Sequence, residues 1–237
     1  MSFPLLKVEE LHAGYGGMPV LRDVALEVWE AEIVALVGSN GAGKTTLLRA
    51  LSGLLPWRGR VTFEGASLQG ATPDRISSRG LVQVPEGRQL FDRMTVQDNL
   101  LMGAYRRNDG RAIREDLERV YTQFSRLKER RKQLAGTMSG GEQQMCAMAR
   151  ALMARPRLMM VDEMSLGLAP VIIQQLMEVL AKIRTQGMTI LLVEQDVHLA
   201  LSSADRCYVL ETGSVVRSGR ASELINDPEV QRAYLGL

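Results

Sequence analysis

The chain has 237 residues, which at roughly 150 residues per domain means one large domain or one domain with an embedded subdomain. Apolar residues make up 46% and charged residues 24%, so a full core is available and wholesale disorder is excluded. Lys and Arg number 29 against 27 Asp and Glu, a net charge of +2, too balanced for an electrostatically driven nucleic-acid binder.

Cys146 and Cys207 are far apart and have no metal-ligand spacing, which removes a zinc site and a disulfide framework and suits a cytosolic setting. No run approaches the ~18 apolar residues of a membrane span, and MSFPLLKVEE lacks the basic start of a signal peptide. A soluble chain is expected.

In chain order, Lys7–Leu11 and Val24–Val28 read as strands, with a turn at Gly14-Tyr15-Gly16-Gly17 between them. Glu32–Val37 is almost continuously apolar and ends at Gly38, the pattern of a strand buried on both faces. A glycine-rich segment follows, and then Leu47–Leu55, whose leucines recur at helical spacing. From Tyr105 to Lys132 the chain is rich in arginine and acids, and Ile113, Leu117, Val120, Tyr121, Phe124 and Leu127 trace one helical face. This predicts an inserted helical subdomain at about 86–155, in which the basic run Arg126–Lys132 is a solvated helix end.

After Pro156, Leu158–Asp162 and Thr189–Val193 have buried-strand character and flank the amphipathic stretch Val171–Thr185. Cys207–Leu210 and Ser214–Arg217 are β-like and precede a polar helical tail. Met148, Met153, Met159 and Met160 stand in apolar surroundings and read as adaptable core filler. The fold class is α/β with a helical insertion.

Gly38-Ser39-Asn40-Gly41-Ala42-Gly43-Lys44-Thr45 satisfies the phosphate-loop pattern G-x-x-x-x-G-K-[ST] between a strand and a helix. Its glycines let backbone N–H groups turn inward around a polyphosphate, and the helix that follows presents its positive end to the same anion. Lys44 is expected on the β- and γ-phosphates and the Thr45 hydroxyl on Mg²⁺. Leu158–Glu163 (LMMVDE) supplies the acidic partners: Asp162 for the metal, and Glu163 to orient or deprotonate an attacking water. Ser139-Gly140-Gly141-Glu142 fits the capping box of an ordinary helix, yet its paired glycines also make an anion site at that helix start. The Ser139 hydroxyl has two competing partners on the sequence alone.

The order phosphate loop, SGGEQQ, LMMVDE resembles the ATP-binding subunits of ABC transporters over essentially the whole chain. The resemblance implies a P-loop NTPase (RecA-like) core with an N-terminal antiparallel β subdomain, and ATP and Mg²⁺ as ligands. It also implies that Ser139, Gly140, Gly141 and Glu142 form a signature segment acting on the ATP of the opposite subunit. By the same likeness Tyr15 stacks on adenine, Thr46 joins residues 38–45 in holding ATP, and Gln83, at the end of Leu81–Val84, senses Mg²⁺ and water. VQVPEGRQLFDRMTVQDNLLMGAYRR, SLGLAP and LLVEQDV look like the smaller ATPase of branched-chain amino-acid importers, with urea and short-chain amide importers as near relatives.

Three positions depart from the general pattern. Met164 replaces a proline, Leu168 stands where many members carry an aspartate reaching across the dimer, and Gln195 replaces a switch histidine. Gln195 can hydrogen-bond a γ-phosphate but carries no charge; His198 reads as a surface residue. The partners implied are a similar ATPase subunit, permease subunits docked near Glu86–Tyr105 and, indirectly, an extracytoplasmic substrate-binding protein, at the cytoplasmic face of a bacterial inner membrane. A nucleic-acid or ribosome ATPase of the same superfamily would carry a coiled-coil insertion or a second ATPase unit, and this sequence shows neither.

Overall fold

Burial alternates along the first strand, and the chain there pairs into a hairpin of β1 (Leu6–Tyr15) and β2 (Met18–Val28). The computed structural model describes residues 3–232. The hairpin turn is only Gly16-Gly17, both left-handed, and Gly14 and Tyr15 remain in β1 instead of joining the turn. Gly14 lies opposite Pro19, where an added Cβ would sit 2.0 Å from the Met18 carbonyl oxygen, so the close approach requires glycine.

β3 (Ile33–Val37) leads through the glycine loop into α1 (Lys44–Leu51). This helix begins inside the motif and stops earlier than the leucine spacing predicts, because Gly53 turns left-handed with φ 72°. The sequence reading misses β4 (Trp57–Phe63), β5 (Ala66–Ser67) and α2 (Pro73–Ser78). Arg58, Gly59 and Arg60 are exposed in β4 and blur its alternation.

β6 (Leu81–Val84) is followed by α3 (Val96–Gly103), α4 (Gly110–Gln123), α5 (Ser125–Glu129) and α6 (Gly140–Met153). The single helical face expected over Tyr105–Lys132 is broken at Phe124, whose non-helical backbone separates α4 from α5. Val120, Tyr121, Phe124 and Leu127 are buried nonetheless. The run Arg126–Lys132 is mostly exposed, although Arg130 is paired with Glu142 at 2.7 Å.

β7 (Leu158–Asp162), α7 (Pro170–Thr185), β8 (Thr189–Glu194), α8 (Val197–Ser203), β9 (Arg206–Glu211) and β10 (Ser214–Arg220) complete the core. The short helices α9 (Ala221–Leu224) and α10 (Pro228–Val230) follow, and the rest of the expected polar tail lies outside the described residues.

Two sheets result. One is antiparallel, ordered β2-β1-β4-β5; the other is ordered β10-β9-β3-β8-β7-β6, with only β9 and β10 antiparallel. β3, β7 and β8 are buried along their full lengths, as parallel strands covered on both faces must be. One apolar cluster joins the two sheets through α1; a second lies between the main sheet and α3, α4, α6 and α7. All four singled-out methionines are fully buried, and both cysteines are buried free thiols.

The arginine-rich helices are fastened by one carboxylate. Asp116 on α4 is 6% exposed and is met by Arg107 and Arg155, each at 2.7 Å, and by Arg119. Arg107 also donates to the Met153 carbonyl at the end of α6. Burial opposes ionisation of Asp116, but the three guanidinium groups outweigh it and hold the carboxyl below its usual range. Asp116→Asn should therefore destabilise the fold by about 3–5 kcal/mol at pH 7. With a depressed folded-state pKa, the wild-type advantage is present above the ordinary carboxylate range and is lost as pH falls below about 4. Urea denaturation of both proteins at pH 7 and pH 3 checks this; an equal gap at both pH values would contradict it.

Candidate active site

Strand register brings the chemistry to one edge of the main sheet. Val37 pairs with Glu194, Asp162 with Val193, and Val84 with Val161, so β3, β6, β7 and β8 all end at the same level. This is the carboxyl edge of a parallel sheet, where open α/β folds hold ligands.

The phosphate loop leaves β3 at Gly38, where a Cβ would meet the Leu210 carbonyl oxygen at 2.3 Å. Gly43 has φ 111°, and a Cβ there would lie 2.7 Å from Leu21. Lys44 then begins α1. Its ammonium is 4% exposed, donates to the Gly38 and Ser39 carbonyls at 2.7 and 3.2 Å, and lies 3.1 Å from Glu163. Asn40, Gly41, Lys44, Thr45, Glu86 and Glu163 line a cleft of about 510 Å³; Gly43 and Thr46 also border it, while Ser39 contributes its carbonyl and Ala42 is buried beneath.

Asp162, at the end of β7, is 1% exposed and its Oδ1 has no hydrogen-bond partner among the described residues. Burial, then Glu163 and Glu86, push its pKa up to about 6; Lys44 and the hydrogen-bonding Thr45 hydroxyl pull the other way. Glu163 itself adopts φ 43°, a left-handed backbone costly for a residue with a Cβ. Its N–H is fixed by the Val193 carbonyl at 2.8 Å.

The structure separates some residues that the sequence grouped. Gln83 does not face this cleft: its Oε1 accepts from Ser52 Oγ at 2.8 Å, at the far end of α1 from Thr45. In register it lies opposite Met160, short of the acidic pair, whereas the chain reaches the level of Glu163 at Glu86. Leu168 packs against the helical core, whereas Leu166, Gly167 and Ala169 around it are exposed ahead of α7. Gln195 is exposed and lines a neighbouring cleft with Glu163 and the exposed His198. Tyr15 is 42% exposed beside α1, where its hydroxyl accepts from Arg49 at 3.2 Å.

Ser139, Gly140, Gly141 and Glu142 open α6 and are not among the residues lining the phosphate-loop cleft. The capping box is formed: Ser139 Oγ donates to Glu142 Oε2 at 2.9 Å and accepts from the Glu142 N–H at 3.4 Å. Glu142 is held in turn by Arg130. Glu194, missed in the sequence, is 1% exposed and accepts from the Ser165 hydroxyl and N–H at 2.6 and 3.2 Å, which ties the end of β8 to the turn after Glu163. Burial raises its pKa. Its only sequence signal is an acid directly ending an apolar strand.

The repulsion around Asp162 is testable on the protein alone. Asp162→Asn, in buffer at pH 8 without nucleotide or magnesium, removes a buried charge held unfavourably and should relieve about 1–2 kcal/mol. The thermal midpoint should rise by roughly 2–6 °C in scanning fluorimetry; a lower midpoint would contradict this electrostatic picture.

Comparison with known proteins agrees with the geometry. Residues 21–165 match the profile of the ABC transporter family. The chain is 46% identical to the high-affinity branched-chain amino acid transport ATP-binding protein BraG of Pseudomonas aeruginosa, over 98% of this chain and 100% of that one. It is 34% identical to the LivG protein of the same description in Escherichia coli, over 100% and 99% of the two chains. Among solved structures, a nucleotide-free ATP-binding cassette of an ABC transporter superposes with a TM-score of 0.85 at 25% identity, covering 96% of this chain and 97% of that one. An ATP-binding subunit of an ABC transporter gives 0.84 at 29% identity, over 98% and 96%. The chain belongs to the ABC transporter family, as one of its ATP-binding subunits.

Proposed function

We propose that this chain is the ATP-hydrolysing subunit of an importer for branched-chain or other hydrophobic amino acids. The observation that carries the chemistry is the gathering of Lys44, Thr45, Asp162 and Glu163 around one cleft at the sheet edge. The substrate class rests on the two relatives named above. No described helix is long and apolar enough to cross a membrane, and permease subunits would supply the translocation path. The chain would act with them at the inner face of a bacterial membrane.

ATP would lie with its phosphates against the N–H groups of residues 39–46 and its adenine on the exposed Tyr15 ring. Lys44 would exchange its loop carbonyls for the phosphates. The residues fit a magnesium ion: Asp162 offers a buried oxygen with no other partner, and Thr45 offers a hydroxyl beside it. No three His, Cys, Asp or Glu residues converge on an ion among the described residues, so phosphate and water oxygens would complete the shell, as is usual for Mg²⁺. Bound there, the ion neutralises phosphate charge. Glu86, just after β6, lines this cleft and would face the ion and water, the role that the resemblance implies for Gln83. Glu163 would orient or deprotonate the attacking water, and Gln195 would hydrogen-bond the γ-phosphate without titrating. Ser139–Glu142 would meet the nucleotide of a second ATPase subunit.

Glu163→Gln preserves shape while weakening proton acceptance. Turnover should fall by about 10²–10⁴-fold with ATP still bound, measured by phosphate release and nucleotide titration. Undiminished hydrolysis would reduce Glu163 to an acidic strand end.

A further inference from the structure

The loop after β6 touches two parts of the molecule at once. Glu86 lines the phosphate-loop cleft, and two residues later Arg88 reaches the first turn of α6. Gly87, Arg88 and Gln89 are all left-handed, with φ of 72°, 66° and 44°, a conformation that only glycine adopts freely. Arg150 of α6 holds the strained turn, donating to the Gln89 and Arg88 carbonyls at 2.7 and 3.2 Å. From that turn the Arg88 side chain crosses to the signature segment. Its Nη1 donates to Gln143 Oε1 at 3.0 Å. Three guanidinium atoms lie within 3.3 Å of the place a Cβ on Gly140 would occupy, so the group rests directly on the glycine backbone. Gln143 is anchored further, donating to the Ala135 carbonyl at 3.2 Å.

We propose that Arg88 is a positioning residue for the half-site this chain presents to a second ATPase subunit. It links the cleft-facing Glu86 to the orientation of the Ser139–Gly141 turn through a short, strained and doubly held loop. The inference rests on the composite-site reading above, in which that turn meets a nucleotide bound by the other subunit. A planar guanidinium suits the task, because it can donate to Gln143 while lying face-on against Gly140; an ammonium cannot do both. Loss of Arg88 should leave ATP binding in the chain's own cleft intact and weaken only the nucleotide-driven association.

The test uses the full chain on a Glu163→Gln background with Mg·ATP, alone and mixed with the paired ATPase of its importer. Light scattering across a concentration series reads association. A fluorescent ATP analogue, titrated at chain concentrations below association, reads monomer affinity. Arg88→Ala should weaken association about 10-fold, the order expected for one charge-assisted contact, with monomer affinity within two-fold of the parent. Gln143→Ala removes the other end of the contact without disturbing the strained turn, so it should shift association the same way and serves if Arg88→Ala folds poorly. Arg88→Lys should stay closer to Ala than to the parent; full recovery by lysine would overturn the positioning role. Association of Arg88→Ala and Gln143→Ala equal to that of the parent would overturn it as well. A parent that never associates with ATP, with either partner, would instead overturn the composite-site reading.

Discussion

One buried ammonium holds the candidate site together. Lys44 lies 3.1 Å from Glu163 and donates to two loop carbonyls, while Asp162, Glu86 and Glu194 add negative charge around the same sheet edge. Attraction between groups this poorly solvated is far stronger than between exposed pairs, so a single cation sets how the loop, the end of β7 and the start of α1 sit together. It does not balance the carboxylates. Asp162 is left with a raised pKa and an oxygen without a hydrogen-bond partner among the described residues. On the proposed function, such a site would be completed by a ligand that brings both positive charge and oxygen atoms, as a magnesium nucleotide does.

The surrounding fold serves that edge. Parallel strands buried on both faces bring Val37, Glu194 and Asp162 to one level. The antiparallel sheet packs through α1 and places Tyr15 beside that helix. The helices α3, α4 and α6 share an apolar cluster with the main sheet and α7, are tied to one another by Asp116 and its arginines, and are also held to the loop after β6 through Arg150 at the turn Gly87–Gln89. The molecule thus has a charged sheet edge, a braced group of helices packed on the sheet, and a strained loop that touches both.

Much of this was legible in the sequence because the chemistry is local there. The phosphate loop is contiguous, its glycines are demanded by backbone contacts at Gly38 and Gly43, and the acidic pair ends an unmistakable apolar strand. What the sequence leaves open depends on non-local register. Whether Gln83 or Glu86 faces the cleft is decided by how β6 pairs with β7, and no periodicity within Leu81–Val84 records that pairing. That Leu168 packs against the helical cluster is decided by where α7 starts, and Ala169 offers no side-chain cap to announce that start. The Ser139 hydroxyl was open between two partners until the Glu142 contact supplied one. Arg88 was invisible as more than a basic residue, since its meaning lies in Gly140 and Gln143, more than fifty residues away in the chain.

The central claim is that the sheet-edge cleft is completed by a divalent cation and a nucleotide together. Isothermal titration of ATP into the wild-type chain, once with excess magnesium and once with a chelator, tests it most directly. The charge distribution requires markedly tighter binding with the metal, by at least about ten-fold, roughly 1.4 kcal/mol. This gain should vanish in Asp162→Asn. Equal affinity with and without magnesium in the wild-type protein would contradict the account, because the carboxylates around Lys44 would then have no part in holding the nucleotide.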